Sequence, residues 1–329
     1  MKEKNLSRIF DSFNDLTVLV VGDVMIDSYY WGRVNRISPE APVPVVSIEN
    51  KESRLGGAAN VALNLMTMGA RPVICSVIGS DNRNQEFYDL LKSRNFSREG
   101  IIESKERVTT VKTRVISGGH HMLRVDEEVT TPLSKADEDA FLERFRKVVK
   151  EQKPAVIVFE DYNKGVLTKG VIEKVISIAR AQKIPTTVDP KKENFFEYKN
   201  VTLFKPNLKE LREGLNKTLP AGDFKALGKA IDQLEKKLNN RISLVTLSEH
   251  GVFVKFDGRE KQIPAHLREI MDVSGAGDTV IGVASLALAA GMDPEDIAEL
   301  SNLAGGLVCE KVGVVPIDKA LLLREALKL

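Results

Sequence analysis

Residues 272–279, Asp272-Val273-Ser274-Gly275-Ala276-Gly277-Asp278-Thr279, place two acids and two glycines just before an apolar run at 280–290. The glycines let the backbone turn tightly and come close to a ligand. The run behind them is rich in Ala, Leu and Val and reads as a buried helix, so the motif sits at a helix N-terminus. Free N–H groups and the positive end of the helix dipole meet there and favour an anion. Asp278 then has two readings. It is the first-turn acid of an ordinary N-terminal cap, or it is a base that takes the proton from a hydroxyl attacking a phosphoryl group.

Other polar residues fall where strands should end. Asp23 and Asp27 follow the β-branched run 16–22 and are placed to accept hydrogen bonds from sugar hydroxyls, unless they are solvated loop acids. Gly56-Gly57-Ala58-Ala59-Asn60 opens a helix, with Asn60 as a candidate substrate contact. The segments Glu160-Asp161-Tyr162-Asn163-Lys164-Gly165, Asp189-Pro190-Lys191-Lys192 and Lys205-Pro206-Asn207-Leu208-Lys209-Glu210 each follow a predicted strand, as does Thr246-Leu247-Ser248-Glu249-His250-Gly251. Any one of them alone reads as a cap or turn. Together they line the carboxyl ends of strands, where open α/β sheets bind ligands. Ser301-Asn302 to Gly306 is a run of small residues that leaves space for a flat base or for tight helix packing.

The elements carrying these residues alternate. Strands are expected at 16–22, 72–78, 155–159, 185–188, 201–204, 243–247 and 252–256, with helices between, which is an α/β pattern. Segments at about 25–50 and 106–126 differ. They hold prolines, aromatics and β-branched residues, with Gly118-Gly119 as a turn, and read as a small separate β-sheet lid. The remainder after 256 reads as mostly helical. One domain spanning 1–329 follows, with the lid inserted in two pieces.

Bulk properties narrow the class. A hydrophobic share of 43% leaves room for a large core, and a net charge of +2 from interspersed signs gives no nucleic-acid footprint. Cys75 and Cys309 lie far apart in apolar surroundings and read as core residues. The histidines have no zinc spacing. Residues 1–6 lack an apolar signal core, and the run 280–291 is shorter than the roughly 20 residues of a membrane span. A cytoplasmic protein with no membrane partner is the expectation.

The string Asp272-x-x-Gly-Ala-Gly-Asp278 resembles the C-terminal signature of the ribokinase-like (PfkB) sugar kinases. Gly56-Gly57 resembles the family's N-terminal signature, Asn207 to Glu210 its Asn-x-x-Glu motif, and Thr246 to Gly251 its Thr-x-Gly-x-x-Gly motif, with Ser248 at the first Gly. These pieces occur in the family's order over essentially the whole chain. The resemblance implies a mostly parallel sheet flanked by helices and a β-lid. It implies Asp278 as catalytic base, with the amides of Gly275, Ala276 and Gly277 as an anion hole. It implies ATP and Mg²⁺ as cofactors, with Asn207, Glu210, Thr246, Ser248, Gly251, Ser274 and Asn302 on the nucleotide side and Glu210 on the metal. Asp23, Asp27, Gly56, Gly57, Asn60, Arg124, Asp161, Lys164 and Lys191 would bind substrate.

A longer string, Gly22 to Asp27 with Arg36-Ile37-Ser38-Pro39-Glu40-Ala41-Pro42-Val43-Pro44-Val45, resembles a subfamily acting on the anomeric O1 of D-glycero-β-D-manno-heptose 7-phosphate. Bifunctional members of that subfamily also carry a nucleotidyltransferase domain with a His-x-Gly-His motif. The present sequence holds no such motif and is expected to be the kinase alone. The candidates for the 7-phosphate are Lys164, Lys191, Lys192, Arg114 and Arg124, unranked. The lid of this family often pairs with a partner's, and Tyr29, Tyr30 and Trp31 are expected at such a homodimer seam.

Overall fold

The computed structural model describes residues 3–266 and 268–329. In chain order the strands are β1 (Thr17–Gly22), β2 (Val24–Ile37), β3 (Pro44–Gly57), β4 (Arg71–Gly79), β5 (Ile101–Ser104), β6 (Val111–Ser117), β7 (His120–Glu127), β8 (Val156–Glu160), β9 (Thr186–Asp189), β10 (Leu203–Phe204), β11 (Ile242–Thr246), β12 (Val252–Phe256) and β13 (Arg259–Ile263). Nine of them form one sheet in the order β13-β12-β11-β10-β9-β8-β1-β4-β5. It is parallel from β11 to β5, and β12 and β13 add antiparallel to its edge.

β1 is buried at every position because helices cover both faces of the sheet. Its side chains alternate with period two: Val18 and Val20 enter one core, Leu19 and Val21 the other. The first core packs against helices Ala58–Thr67 and Ala276–Ala289, through residues such as Val61, Ile281 and Ala284. The second packs against helices Lys135–Gln152, Lys169–Ala181 and Phe224–Leu238, through Phe141, Val175 and Leu234. From β1 the chain runs to β4 and β5 on one side, then to β8, β9, β10 and β11 on the other. That reversal leaves a crevice at the carboxyl ends of β1 and β8, where a ligand fits.

The lid is a separate sheet in the order β3-β2-β6-β7, with β2 and β6 parallel. Gly118 (φ 57°) and Gly119 (φ 79°) close the β6–β7 hairpin, a turn that needs positive φ at both central residues. β3 continues through Gly56-Gly57, and Gly57 caps helix Ala58–Thr67 at φ 61°. A side chain at Gly57 would put its Cβ 2.4 Å from the Asp23 carbonyl oxygen, so glycine is required where lid and core sheet meet. Among the described residues no helix is long and apolar enough to cross a membrane.

Candidate active site

Helix Ala276–Ala289 begins at the expected motif. Gly275 caps it in the left-handed region, φ 78°, with no side-chain cap bond. The Ala276 N–H turns back to the Val273 carbonyl at 3.3 Å, while the N–H groups of Gly275 and Gly277 have no partner among the described residues. Of the three amides expected to face an anion, that of Ala276 is therefore taken up inside the turn. Asp278 lies in the first helical turn, 9% exposed. The Tyr162 hydroxyl donates to its Oδ1 at 3.0 Å and Asn60 Nδ2 to its Oδ2 at 2.5 Å. Burial pushes the Asp278 carboxyl up to about 6. The Asn60 bond opposes this, Asp189 adds to it, and Tyr162 and Lys205 oppose it.

Behind Asp278 stand the last residues of two neighbouring strands. Glu160 ends β8, Asp189 ends β9, and the parallel register sets them side by side. One carboxylate oxygen from each of Glu160, Asp189 and Asp278 lies within 4.8 Å of the others. Burial, with Asp189 and Asp278 adjacent, holds Glu160 well above the usual carboxylate range. Two lysines stand beside the group. Lys205, 2% exposed, sits 2.8 Å from Asp189 Oδ2, and Lys191 sits 2.5 Å from Glu210 Oε1. Burial alone would lower both ammonium groups, but Asp189 and Glu210 outweigh it and both are raised.

Asn207 and Glu210 form a capping box on helix Leu208–Leu215, each side chain accepting the other's backbone N–H at 2.8 Å. With Oε2 in the cap and Oε1 on Lys191, both Glu210 oxygens are occupied. By contrast Glu160 Oε2 and Asp189 Oδ1 are buried with no hydrogen-bond partner. Hard carboxylate oxygens left open in this way suit a divalent cation. Glu210, expected to hold the metal, has its carboxylate engaged by the cap and by Lys191, and the open carboxylate oxygens lie on Glu160 and Asp189.

A cavity of about 660 Å³ opens between this floor and the lid. Gly275, Asp278 and Tyr162 form its base, with Gly56, Gly57 and Asn60 on one wall. The lid contributes Asp27, Tyr29 and Trp31 from β2, Arg54 from β3, and Lys112 and Arg114 from β6. Tyr29 and Trp31 stack with ring centroids 5.5 Å apart. The guanidinium groups of Arg54 and Arg114 lie 5.0 and 5.3 Å from the Tyr29 ring centroid.

The structure thus brings Asp27, Gly56, Gly57, Asn60, Arg114, Ser274, Gly275 and Asp278 to one cavity. Ser274, expected on the nucleotide side, faces this cavity. Other expected residues lie elsewhere. Asp23 is 1% exposed, and its carboxylate accepts the backbone N–H groups of Tyr162, Lys164 and Val166 at 3.0–3.1 Å. It fixes the loop that carries Tyr162 and does not line the cavity. Asp161 is buried against Tyr198, Asn194 and the Asn163 amide. Lys164 pairs with Glu128 at 2.7 Å, and neither lines the cavity.

Arg124 pairs with Asp126 on exposed β7, and Lys192 is exposed outside the cavity. Lys191 belongs to the buried ion cluster. Tyr29 and Trp31 face the cavity, because they alternate with Tyr30 on the strand; only Tyr30 points to the other face of the lid. Thr246 ends β11 and bridges to Asn207, while Ser248 and Gly251 hold the tight turn behind it at φ 52° and 80°. Asn302 lies inside helix Pro294–Val308, donating to the Pro264 carbonyl at 2.9 Å, and not at a helix start. A side chain on nearby Gly305 would put its Cβ 2.8 Å from Val280, so helix packing explains the small residue there.

Glu160, Tyr162, Asp189, Lys205, Arg54 and Lys112 had no assigned role in the sequence reading. The acids at the ends of predicted strands were the available signal for the first and third.

A parallel α/β sheet with its crevice at a strand reversal, a buried carboxylate at a helix N-terminus and a β-lid define a class of phosphotransferase with an alcohol acceptor. The chain belongs to the pfkB family of carbohydrate kinases, whose family model matches residues 15–320. Curated relatives include the bifunctional protein HldE of Geobacter metallireducens, 37% identical over 322 residues, covering 97% of this chain and 65% of that one. The bifunctional protein HldE of Caulobacter sp. is 41% identical over 320 residues, covering 96% and 64%. The chain therefore spans about two thirds of the length of these relatives. Among solved structures, Escherichia coli phosphofructokinase-2 with potassium aligns with a TM-score of 0.78 at 19% identity, over 95% of this chain and 98% of that one. Arabidopsis thaliana ribokinase with ribose and ATP aligns at 0.70 and 16%, over 95% and 99%. Both share the ribokinase fold.

Proposed function

We propose that this carbohydrate kinase transfers the γ-phosphoryl group of ATP to the anomeric O1 of D-glycero-β-D-manno-heptose 7-phosphate, giving the 1,7-bisphosphate. The observation that carries the reading is the placement of Asp278. It is a buried carboxylate held by two donors, Asn60 and Tyr162, at the floor of a sugar-sized cavity and beside the open Gly277 amide. Asp278 accepts the O1 proton as that oxygen attacks phosphorus. The Gly275 and Gly277 amides and the helix N-terminus stabilise charge on the transferred group. Asp27 and Asn60 hold sugar hydroxyls, and Thr246, Ser248, Gly251 and Asn302 lie on the nucleotide side. Glu160 and Asp189 would hold magnesium, which when bound neutralises phosphate charge.

The heptose assignment rests on the Gly22 to Asp27 and Arg36 to Val45 strings and on the HldE relatives. We read residues 1–329 as one kinase domain with its lid at about 25–50 and 106–126. Ile37, Val43, Leu123 and Val125 are exposed apolar residues of the lid and its loop, and they support a homodimer formed through it.

The test is incubation with ATP, magnesium and a panel of sugars and sugar phosphates, followed by phosphorus NMR. A new anomeric phosphate on the heptose 7-phosphate alone is expected. Transfer only to a different sugar removes the heptose assignment.

A further inference from the structure

The cavity wall carries three lid cations, and they are not equivalent. Arg54 is committed to Glu52 through two nitrogens, and Arg114 to Asp27 at 2.6 Å. Lys112 lines the same wall and has no carboxylate within ion-pair distance and no side-chain hydrogen bond among the described residues. It sits on β6 in register with Asp27 of β2 on one side and Asp126 of β7 on the other. Burial lowers its ammonium group, as do the nearby cations Lys164 and Arg124. Glu128 and Asp126 act the other way.

Lys164 and Arg124 are themselves already paired, with Glu128 and Asp126. A half-buried ammonium with no carboxylate within ion-pair distance is costly unless an anion completes it. The floor has its own cations, Lys191 beside Glu210 and Lys205 beside Asp189.

We propose that Lys112 receives the non-reacting phosphate of the substrate, so that the cavity selects phosphorylated sugars over free ones. This rests on the sugar-kinase reading of the cavity, with the reacting hydroxyl at Asp278 and the far end of the sugar under the lid. It departs from all five cations singled out in the sequence.

The test compares kcat/KM for heptose 7-phosphate with that for the free heptose in wild type, Lys112→Met, Lys112→Gln and Lys112→Arg. Fructose 6-phosphate against fructose and ribose 5-phosphate against ribose are run alongside. The preference for the phosphorylated member is expected to fall about 10- to 100-fold in Lys112→Met and Lys112→Gln, as for loss of one charge-assisted hydrogen bond. The loss should appear in KM, and Lys112→Arg should recover most of it. A preference within about three-fold of wild type in both neutral variants overturns the proposal. So does a wild-type enzyme that takes free sugars as well as their phosphates. If the wild type prefers another sugar phosphate and Lys112→Met abolishes that preference, the heptose assignment fails and the role of Lys112 stands.

Discussion

The floor and the lid of the cavity handle charge in opposite ways. On the floor, Glu160, Asp189, Asp278 and Glu210 are buried beside two lysines, and side chains from β8, β9 and three helices hold one another in place. On the lid, β7 is exposed along its whole length and most ion pairs face water. The floor is buried and over-determined, as suits groups whose protonation and aim must be set before substrate arrives. The lid is built from hairpins with little core of their own, which suits a surface that reads the substrate and moves over it.

That contrast can be broken from either side. Lys205→Met leaves the Asp189 carboxylate buried without its closest partner. It should cost about 3–5 kcal/mol of stability, read from urea unfolding, because an uncompensated buried charge is left behind. A loss under about 1 kcal/mol would mean the floor is wetter than the geometry implies. Leu123→Asp, on the exposed β7, should leave folding nearly untouched but weaken association by about 2 kcal/mol or more, through a charge forced into an apolar seam. Sedimentation would show the 36.4 kDa species replacing one of twice that mass. A wild-type protein that is already monomeric ends the dimer reading.

A sharper probe is pH. With Asp278 as the proposed base, only its ionised form is active, so turnover should rise as pH passes through about 6 and level off above it. The Tyr162 hydroxyl stabilises the ionised form. Tyr162→Phe should therefore move this acidic limb upward by about one unit. An unmoved limb would show that Tyr162 does not act on the base. The smallest effect is expected at Ser248, which holds φ 52° where the family's motif has glycine. Ser248→Gly should raise stability by about 1 kcal/mol in thermal melts, by relieving a left-handed conformation.

Much of the floor was legible in the sequence because its signals are local. The run at 16–22 alternates between two cores, and Gly275 to Asp278 is a single turn. The side chains of Ser134 and Asn207 cap the helices that follow them. Where strands were hidden, the reason is physical. β13, Arg259–Ile263, is an edge strand with charged, exposed positions, and so lacks the apolar pattern of its neighbours. β5 has only four residues. Helix Glu3–Ser12 was not anticipated, although Leu6, Phe10 and Phe13 bury one face at helical spacing.

The lid side of the site was the least legible. Asp23 and Asp27 look alike in sequence. Only the fold shows that the first is consumed by three backbone amides and the second faces the cavity. Lys112 becomes visible only when β6 pairs with β2, some 85 residues away in the chain. No short-range pattern can announce such a neighbour.

The most direct test of the account is a single-turnover measurement on wild type and Asp278→Asn with ATP, magnesium and heptose 7-phosphate, with ATP affinity measured separately. The chemical step is expected to slow by about 10²–10⁴-fold, while ATP binding stays within about three-fold. A variant that transfers phosphate within a few-fold of the wild-type rate would contradict the assignment of Asp278 as the base.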